Sequence, residues 1–308
     1  MSNPATSFIY LASAAAACIL MCAGLAFELG QKAGEADAPE IITVSAPERP
    51  AAQVREAPAA RPEPASDRSV EFASGLRSLV SNAPVLAVII DDIGPDREAA
   101  EALIALDIPL TLSILPFARE AGAIAHEAAS VGLDVFLHLP MEPVGLDDPG
   151  PNALTRHLSE AEMERRALWA LSRVPGAMGF NNHMGSAMTR DEAALRRAFA
   201  HFAGRDLVFV DSLTHPASRA AHIAAEAGMQ ALRRDVFLDH VRSPEAVDAA
   251  LEHALRLAAE RGAAIAIGHP YPVTLEALEG LAERAAEHGV ELVGMSALAA
   301  RERASEAS

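Results

Sequence analysis

Short apolar runs alternate with helix-like segments from residue 84 onward. The apolar runs lie at 85–90, 110–115, 133–139, 177–180, 207–210, 231–238, 263–268 and 290–295. The segments between them show helical spacing of apolar residues and lie at 96–106, 119–130, 159–173, 190–203, 216–227, 244–261 and 274–288. Continuous apolar runs are typical of strands that are buried on both faces of a parallel sheet. Seven or eight strand–helix units favour a parallel α/β barrel over residues 84–298.

Two of the predicted helices begin at recognisable capping residues. Ser159 precedes an acidic first turn, and Ser243 is followed by Pro244. A serine hydroxyl can accept a hydrogen bond from a free N–H group of the first turn, and proline suits the first helical position. These residues therefore predict helix starts close to 160 and 244.

The N-terminal region is different in kind. Residues 8–27 contain no charge and are long enough to cross a bilayer once. We interpret residues 1–29 as an uncleaved membrane anchor. No Lys or Arg precedes the apolar run, and the small-residue site at 36–38 is followed by Pro39, which disfavours cleavage. A cleaved signal peptide, or a lipoprotein modified at Cys18 or Cys22, is the alternative.

The anchor predicts a protein of the inner membrane whose barrel lies in the periplasm, or one secreted to the periplasm if the segment is cleaved. An alkaline-phosphatase fusion after Leu29 tests this orientation, since that enzyme is active only after export. Residues 30–83 are rich in proline and alanine without apolar periodicity, which predicts a disordered linker. Residues 299–308 are predicted to form a disordered tail.

Composition excludes several classes of function. The net charge of −17 and the lack of a basic stripe argue against nucleic-acid binding. The sequence has no GxGxxG or phosphate-loop motif and no GxSxG, which counts against nucleotide binding and serine hydrolysis. Cys18 and Cys22 are the only cysteines, and both precede the barrel. A metal ion in the barrel must therefore be held by His, Asp or Glu.

Polar residues collect just after several of the predicted strands. Asp91 and Asp92 follow the run 85–90. The other strand ends carry His138 and Glu142, then Asn181, Asn182 and His183, then Asp211, and finally His269. Because the carboxyl ends of parallel strands meet at one edge of a barrel, we expect these side chains to lie close together. Alternatively, Asp91 and Asp92 are solvated loop residues, and Asp92 or Asp96 caps the next helix.

The histidines at these strand ends indicate a metal site. Neutral imidazoles together with carboxylates are a usual ligand set for zinc or a similar divalent ion. His215 and His240 lie near strand ends and are weaker candidates for the cleft. Asp235 and Asp239 alternate with apolar residues and are expected to pair with nearby arginines. The remaining histidines lie in helix-like segments and are expected to be solvated; they are His126, His157, His201, His222, His253 and His288.

The ordered motifs resemble those of a known family. They are Ile90-Asp91-Asp92-Ile93-Gly94, His138-Leu139-Pro140-Met141-Glu142-Pro143, Asn181-Asn182-His183-Met184-Gly185-Ser186, Val210-Asp211-Ser212 and Gly268-His269-Pro270. In this order they resemble the divergent polysaccharide deacetylase family, over roughly residues 84 to 298. The wider superfamily has a distorted (β/α) barrel, so the resemblance implies that fold here.

The resemblance also implies a reaction. Members of the superfamily remove N- or O-acetyl groups from glycans with the help of one divalent metal ion, here expected to be zinc. It implies that Asp91 is the general base, that Asp92 and two histidines bind the metal, and that His269 is the general acid. The implied substrate is a polysaccharide or a peptidoglycan-type glycan of the cell envelope.

The chain departs from the superfamily pattern at the metal site. The usual second motif has two histidines four residues apart, and here this spacing gives His138 and Glu142. The usual third motif has an arginine, and here it reads Asn181-Asn182-His183. Either His183 supplies the missing ligand or Glu142 ligates directly, and we favour His183. The other polar residues are expected to bind substrate or to support the ligands; they are Glu142, Asn181, Asn182 and Asp211.

Two further functions remain open from the sequence. The altered motifs are compatible with a catalytically silent glycan-binding or envelope-organising protein on the same barrel. The residues would also suit a metal-dependent hydrolase that acts on another amide or ester.

Overall fold

The predicted alternation of strands and helices is present in the structure, a computed structural model that describes residues 83–306. The strands are β1 (Val85–Ile93), β2 (Thr111–Ile114), β3 (Asp134–Met141), β4 (Gly179–Met184), β5 (Val208–Asp211), β6 (Gln230–Arg233), β7 (Val236–Phe237), β8 (Ala263–Gly268) and β9 (Glu291–Val293). The helices are α1 (Arg97–Ile104), α2 (Ala121–Ser130), α3 (Glu160–Arg173), α4 (Glu192–Ala200), α5 (Ala220–Glu226), α6 (Pro244–Arg261), α7 (Pro272–Leu278), α8 (Leu281–Glu287) and α9 (Met295–Glu306).

The helix starts follow the capping chemistry. Ser159 and Ser243 accept hydrogen bonds from backbone N–H groups in the first turns of α3 and α6, as predicted. Asp96 does the same for α1, where its side chain accepts from the N–H of Ala99. Of the two carboxylates that we considered as caps for α1, Asp96 therefore takes this role.

All paired strands are parallel, in the order β6-β5-β4-β3-β2-β1-β8-β7, with β9 also paired to β1. The segment from β6 to β7 touches both edges of this curled sheet. Arg234 N–H donates to the carbonyl of Asp211 at 3.1 Å, and Asp235 N–H donates to that of Ile265 at 2.8 Å. The predicted strand 231–238 is therefore two short strands, because the chain changes partner between them. The fold is the predicted distorted (β/α) barrel.

Successive residues of each strand face opposite sides of the sheet, and the core follows this alternation. Val85, Ala87 and Ile89 of β1 belong to a cluster inside the barrel, with Phe136, Val210 and Ile267 among its other members. Leu86, Val88 and Ile90 belong to a second cluster, between the sheet and the surrounding helices. A residue at a strand end therefore faces the barrel interior if it lies an even number of residues from one of these interior positions.

The C-terminal segment differs from the prediction. Residues 299–306 lie in α9, whereas a disordered tail was predicted. Leu298 and Ala299 are buried against the interior cluster, so this helix covers part of the barrel core. The apolar segment 8–27 and linker residues 30–82 lie outside the described residues. Within the described range, no helix combines the length and apolarity that a membrane crossing needs.

Candidate active site

Strand alternation brings five of the candidate residues to the interior of the barrel mouth. Asp91 continues the interior positions of β1, and His138 follows Phe136 by two residues in β3. Asn181 and His183 share one face of β4, and His269 follows Ile267 just beyond β8. Because these strands are neighbours or near neighbours in the sheet, the five side chains meet around one cleft.

Asp92 joins this group through an irregularity at the end of β1. The pairing of β1 with β2 shifts register between Ile90 and Ile93, and Asp92 has a positive φ of 57°. Strand irregularities of this kind often redirect a side chain. Two consecutive carboxylates can therefore both line the cleft, although a regular strand would turn one of them away.

Asp92, His138 and His183 form a candidate metal centre. Asp92 Oδ1 lies 3.2 Å from His138 Nε2 and 2.9 Å from His183 Nδ1. One potential ligand atom from each residue lies within 4.8 Å of the other two. The two imidazole rings meet edge to face with their centroids 4.9 Å apart.

The donor atoms fit a divalent ion. Asp92 Oδ1 is buried and receives no well-aligned hydrogen bond, although the two ring nitrogens lie close to it. An unsatisfied buried carboxylate oxygen is costly, whereas a cation held by all three groups would satisfy it. One carboxylate and two imidazoles match a catalytic zinc site, in which three protein ligands leave room for water or substrate.

Electrostatics at the centre agree with this interpretation. Burial alone would raise the pKa of Asp92, but the adjacent His138 and His183 lower it well below its ordinary value. Burial would lower the pKa of His138, but the neighbouring Asp91 and Asp92 carboxylates raise it. The carboxylates of Asp91 and Asp92 stabilise the protonated imidazole of His138. A bound metal ion would take the place of that proton.

Asn181 connects the metal centre to Asp91. Its Nδ2 donates to Asp91 Oδ1 at 2.7 Å, while its Oδ1 accepts from His138 Nδ1–H at 2.8 Å and from the Ser113 hydroxyl at 2.6 Å. This network directs Nε2 of His138 toward Asp92, because Nδ1 carries the proton. Asn181 is fully buried, so it positions other groups and does not itself contact substrate.

His269 has its own carboxylate partner, which our sequence analysis missed. His269 Nδ1–H donates to Asp239 Oδ1 at 2.9 Å, and the Thr274 hydroxyl donates to Asp239 Oδ2 at 3.0 Å. The expectation that Asp239 pairs with an arginine is therefore wrong. Burial would lower the pKa of His269, but the hydrogen bond to Asp239 and the nearby carboxylates raise it. Its Nε2 lies 3.9 Å from Asp92 Oδ2, facing the candidate metal centre.

Asp211 lies away from the cleft. It follows Val210, an interior residue, so it faces the helix side of the sheet. Its carboxylate accepts hydrogen bonds from Leu213 N–H at 3.0 Å and from the Ser218 hydroxyl at 2.7 Å. We had expected Asp211 to bind substrate or support the ligands, and the structure shows that it organises the loop between β5 and α5.

Glu142 is also placed outside the cleft. Arg156 binds it through Nη2 at 2.8 Å, through Nε at 3.2 Å and through the backbone N–H at 2.7 Å. Its pKa is lowered chiefly by this arginine. Of the two residues that we considered as the third metal ligand, the structure groups His183 with Asp92 and His138.

The cleft has a volume of about 510 Å³. Asn182 lines it and holds two loops together, since its Oδ1 accepts from Ser212 N–H at 3.0 Å and its Nδ2 donates to the carbonyl of Met184 at 2.8 Å. Sequence reasoning left out several lining residues; they are Ser212, Leu213, Thr214, Arg234 and Phe237. His240, a weak candidate, also lines the cleft, whereas His215 does not.

We predict that Glu142→Gln keeps the metal ion but lowers stability. The pKa of Glu142 is depressed in the folded state, so its ion pair stabilises the protein above the ordinary value of 4.5 and is lost as pH falls through the lowered pKa. The free energy of unfolding should drop by about 1 kcal/mol at pH 7, and by less below pH 4.5. Denaturant titration and elemental analysis measure the two effects. Loss of the metal would show instead that Glu142 supports the ligands.

The comparisons agree with this geometry. The chain matches the family model of the divergent polysaccharide deacetylases over residues 88–299. It is 36% identical to an uncharacterised protein of Haemophilus influenzae, over 69% of this chain and 76% of that protein. It is 33% identical to the uncharacterised protein YibQ of Escherichia coli, over 63% of this chain and 61% of that protein, so it spans less than two thirds of YibQ.

A solved structure shows the same fold. The uncharacterised protein Atu2773 of Agrobacterium tumefaciens aligns with a TM-score of 0.66 at 23% identity, covering 73% of this chain and 96% of that one. Fold and site together define a parallel-barrel protein with a candidate Asp–His–His metal centre. The chain belongs to the divergent polysaccharide deacetylase family, as its motifs indicated.

Proposed function

We propose that this protein is a metal-dependent hydrolase that removes acetyl groups from a polysaccharide of the cell envelope, with zinc as its ion. The buried, unsatisfied Oδ1 of Asp92 between two imidazole nitrogens carries the proposal. Family membership supports a deacetylase fold, and Asp91 and His269 lie in the same cleft as the candidate metal centre.

The residues have complementary roles in this proposal. Asp92, His138 and His183 would hold the ion, which when bound polarises the acetyl carbonyl and makes nearby water more acidic. Asp91 accepts the proton of the attacking water, and the hydrogen bond from Asn181 keeps its carboxylate in place.

His269 then donates a proton to the departing amine or alcohol. Asp239 holds its Nδ1–H, so that Nε2 faces the cleft with the proton to be transferred. The raised pKa of His269 favours the protonated imidazole that a general acid needs near neutral pH.

Acetate release tests the proposal. The full-length protein, reconstituted with zinc, should release acetate from N-acetylated or O-acetylated glycans, and a chelator should stop the release. The release of other products from amides or esters, without acetate, would favour a hydrolase of different specificity.

A catalytically silent glycan-binding protein is the second candidate. The observation that favours it is Asn181, a neutral amide beside Asp91 where the superfamily pattern has an arginine. Glycan that binds to the metal-loaded protein and is never deacetylated would support this function and contradict the first.

The location follows from the N-terminal segment. We propose that residues 8–27 anchor the chain in the inner membrane and that the barrel faces the periplasm, where envelope glycans are accessible.

A further inference from the structure

Among residues 83–306, one arginine lines the cleft. Arg234 follows β6 and is partly buried against the loop after β5. Its Nε donates to the carbonyl of Ser212 at 2.8 Å, and its Nη2 donates to that of Leu213 at 3.2 Å. The guanidinium also lies 4.8 Å from the ring centroid of Phe237. These contacts hold the charged group at one place on the cleft wall.

The charge of Arg234 is not neutralised by a direct partner. Its guanidinium forms no ion pair with any carboxylate of residues 83–306, whereas many other arginines of the barrel do, among them Arg156, Arg166, Arg219 and Arg284. Burial lowers the pKa of Arg234, and the nearby carboxylates of Asp91, Asp211 and Asp235 partly oppose this effect. Among the charges that line the cleft, a divalent ion at the candidate metal centre would balance Asp91 and Asp92, so the guanidinium of Arg234 would have no opposite charge left on the cleft wall.

Ser212 offers a second unsatisfied group in the same cleft. The residue is only 6% exposed, and its Oγ has no hydrogen-bond partner among the described residues. Buried hydroxyl groups are normally paired, and a serine hydroxyl can donate to a carboxylate oxygen. The carbonyl of this same residue accepts from Arg234, so the two groups are neighbours on the wall.

Phe237 connects this wall to the catalytic end of the cleft. Its ring contacts Arg234 on one side and meets the ring of His269 edge to face, with centroids 5.5 Å apart. Arg234 and His269 therefore lie on either side of Phe237 in the same cleft. An aromatic ring between the two also suits the apolar face of a sugar.

We propose that Arg234 and Ser212 form a subsite for a carboxylate of the glycan, so that the preferred substrate is an acidic polysaccharide. The carboxylate lies on the acetylated sugar or on its neighbour. The guanidinium supplies a fixed charge and N–H donors, and the serine supplies a hydroxyl donor. This inference rests on the proposed function, which acts on a polysaccharide, and it names the class of that substrate. The chain as a whole has a net charge of −17, so the positive charge of the subsite is a local feature.

The alternative is that Arg234 only fastens the loop at Ser212 and Leu213. A fastening role would affect all ligands alike, whereas a carboxylate subsite distinguishes charged ligands from neutral ones. The decisive quantity is therefore the ratio of affinities for an acidic glycan and its methyl ester, measured with Arg234 intact and in an Arg234 variant.

The experiment uses the zinc-loaded full-length chain in detergent, in an Asp91→Asn background that keeps ligands intact. Calorimetric titration compares an N-acetylmuramic-acid tetrasaccharide and a hyaluronan tetrasaccharide, each as the free acid and as the methyl ester. The first carries its carboxylate on a lactyl ether and the second on a sugar ring, so the two arms distinguish the possible sources. At least one acid should bind about tenfold more tightly than its ester.

Arg234→Met should bring that ratio close to one, with little change for the ester. Arg234→Lys should keep part of the ratio, and Ser212→Ala should reduce it less than Arg234→Met. Arg173→Met is the matched control, because Arg173 also donates to backbone carbonyls, at Pro116 and Ala118, but does not line the cleft. It should leave the ratio unchanged, and thermal unfolding checks that each variant is folded.

Equal affinities for acid and ester in the Asp91→Asn protein that retains Arg234 would overturn the subsite. An equal loss of affinity for acid and for ester in Arg234→Met would also overturn it, because that result is expected of a residue that only fastens the loop. Acetate release from a neutral glycan, with no binding of either acid, would leave the proposed function standing and the subsite wrong. Discrimination of acid from ester in the Asp91→Asn background, without acetate release by the zinc-loaded protein that retains Asp91, would support the subsite and contradict the hydrolase.

Discussion

The Asp91→Asn variant should release acetate about 10³-fold more slowly than the native protein while it binds its divalent ion equally well. Asp91 lies in the cleft but is not one of the three grouped ligands. An asparagine has nearly the same shape and can still accept the hydrogen bond from Asn181, but it does not accept a proton from water. General base catalysis contributes roughly 10²- to 10⁴-fold, which sets the size of the expected loss.

The measurements are the turnover number for acetate release and the metal content of the purified variant. Asp96→Asn is a matched control, because the same substitution then affects only the cap of α1. Undiminished turnover in Asp91→Asn would show that another group is the base. Loss of the ion together with activity would show that Asp91 supports the ligands through Asn181 and His138.

The His138→Ala and His183→Ala variants should each fail to hold the divalent ion that we propose for the native protein. Only Asp92 and one imidazole would remain in either variant, and three protein ligands are the usual minimum for a zinc site. Changes to groups that merely support ligands cost 10- to 100-fold in metal affinity, so loss of a ligand should cost at least about a hundredfold. Elemental analysis after dialysis against a weak chelator measures the occupancy.

His240→Ala is the control for these variants, because His240 lines the same cleft but does not belong to the ligand group. It should keep the ion. His138 is buried, so His138→Gln is a second variant that fills more of the space, and thermal unfolding separates misfolding from loss of a ligand. An ion that persists in both alanine variants would contradict the assignment of the site. If the native protein takes up no zinc, cobalt or manganese, the silent binding protein becomes the better interpretation.

Much of the fold was predictable because its determinants are local. Each apolar run became a strand, since residues such as Leu86 to Ile90 have no polar side chain to place at a surface. Period-two alternation also explains much of the site, because Asp91, His138 and His269 lie two residues beyond interior positions of their strands. The same rule, applied from Val210, would have excluded Asp211 from the cleft at the start.

The errors lie where partners are distant in sequence. Asp239 and its partner His269 are 30 residues apart, and Asn181 and Asp91 are 90 apart, so no local pattern joins them. Glu142 lies four residues after His138, where the superfamily motif has its second histidine. The chain turns beyond β3, however, and brings Arg156 to Glu142. The final helix was missed because its burial depends on the barrel end that it covers.

The order of strands and helices, the strand ends that carry polar side chains, and the family could all be inferred from the sequence, because they depend on residue type and spacing along the chain. The meeting of particular side chains depends on how the chain folds. The register shift at Asp92 directs its carboxylate to His138 and His183, and the segment between β6 and β7 carries Arg234 to the cleft wall. Those contacts depend on packing between strands that are far apart in sequence, which no single segment encodes.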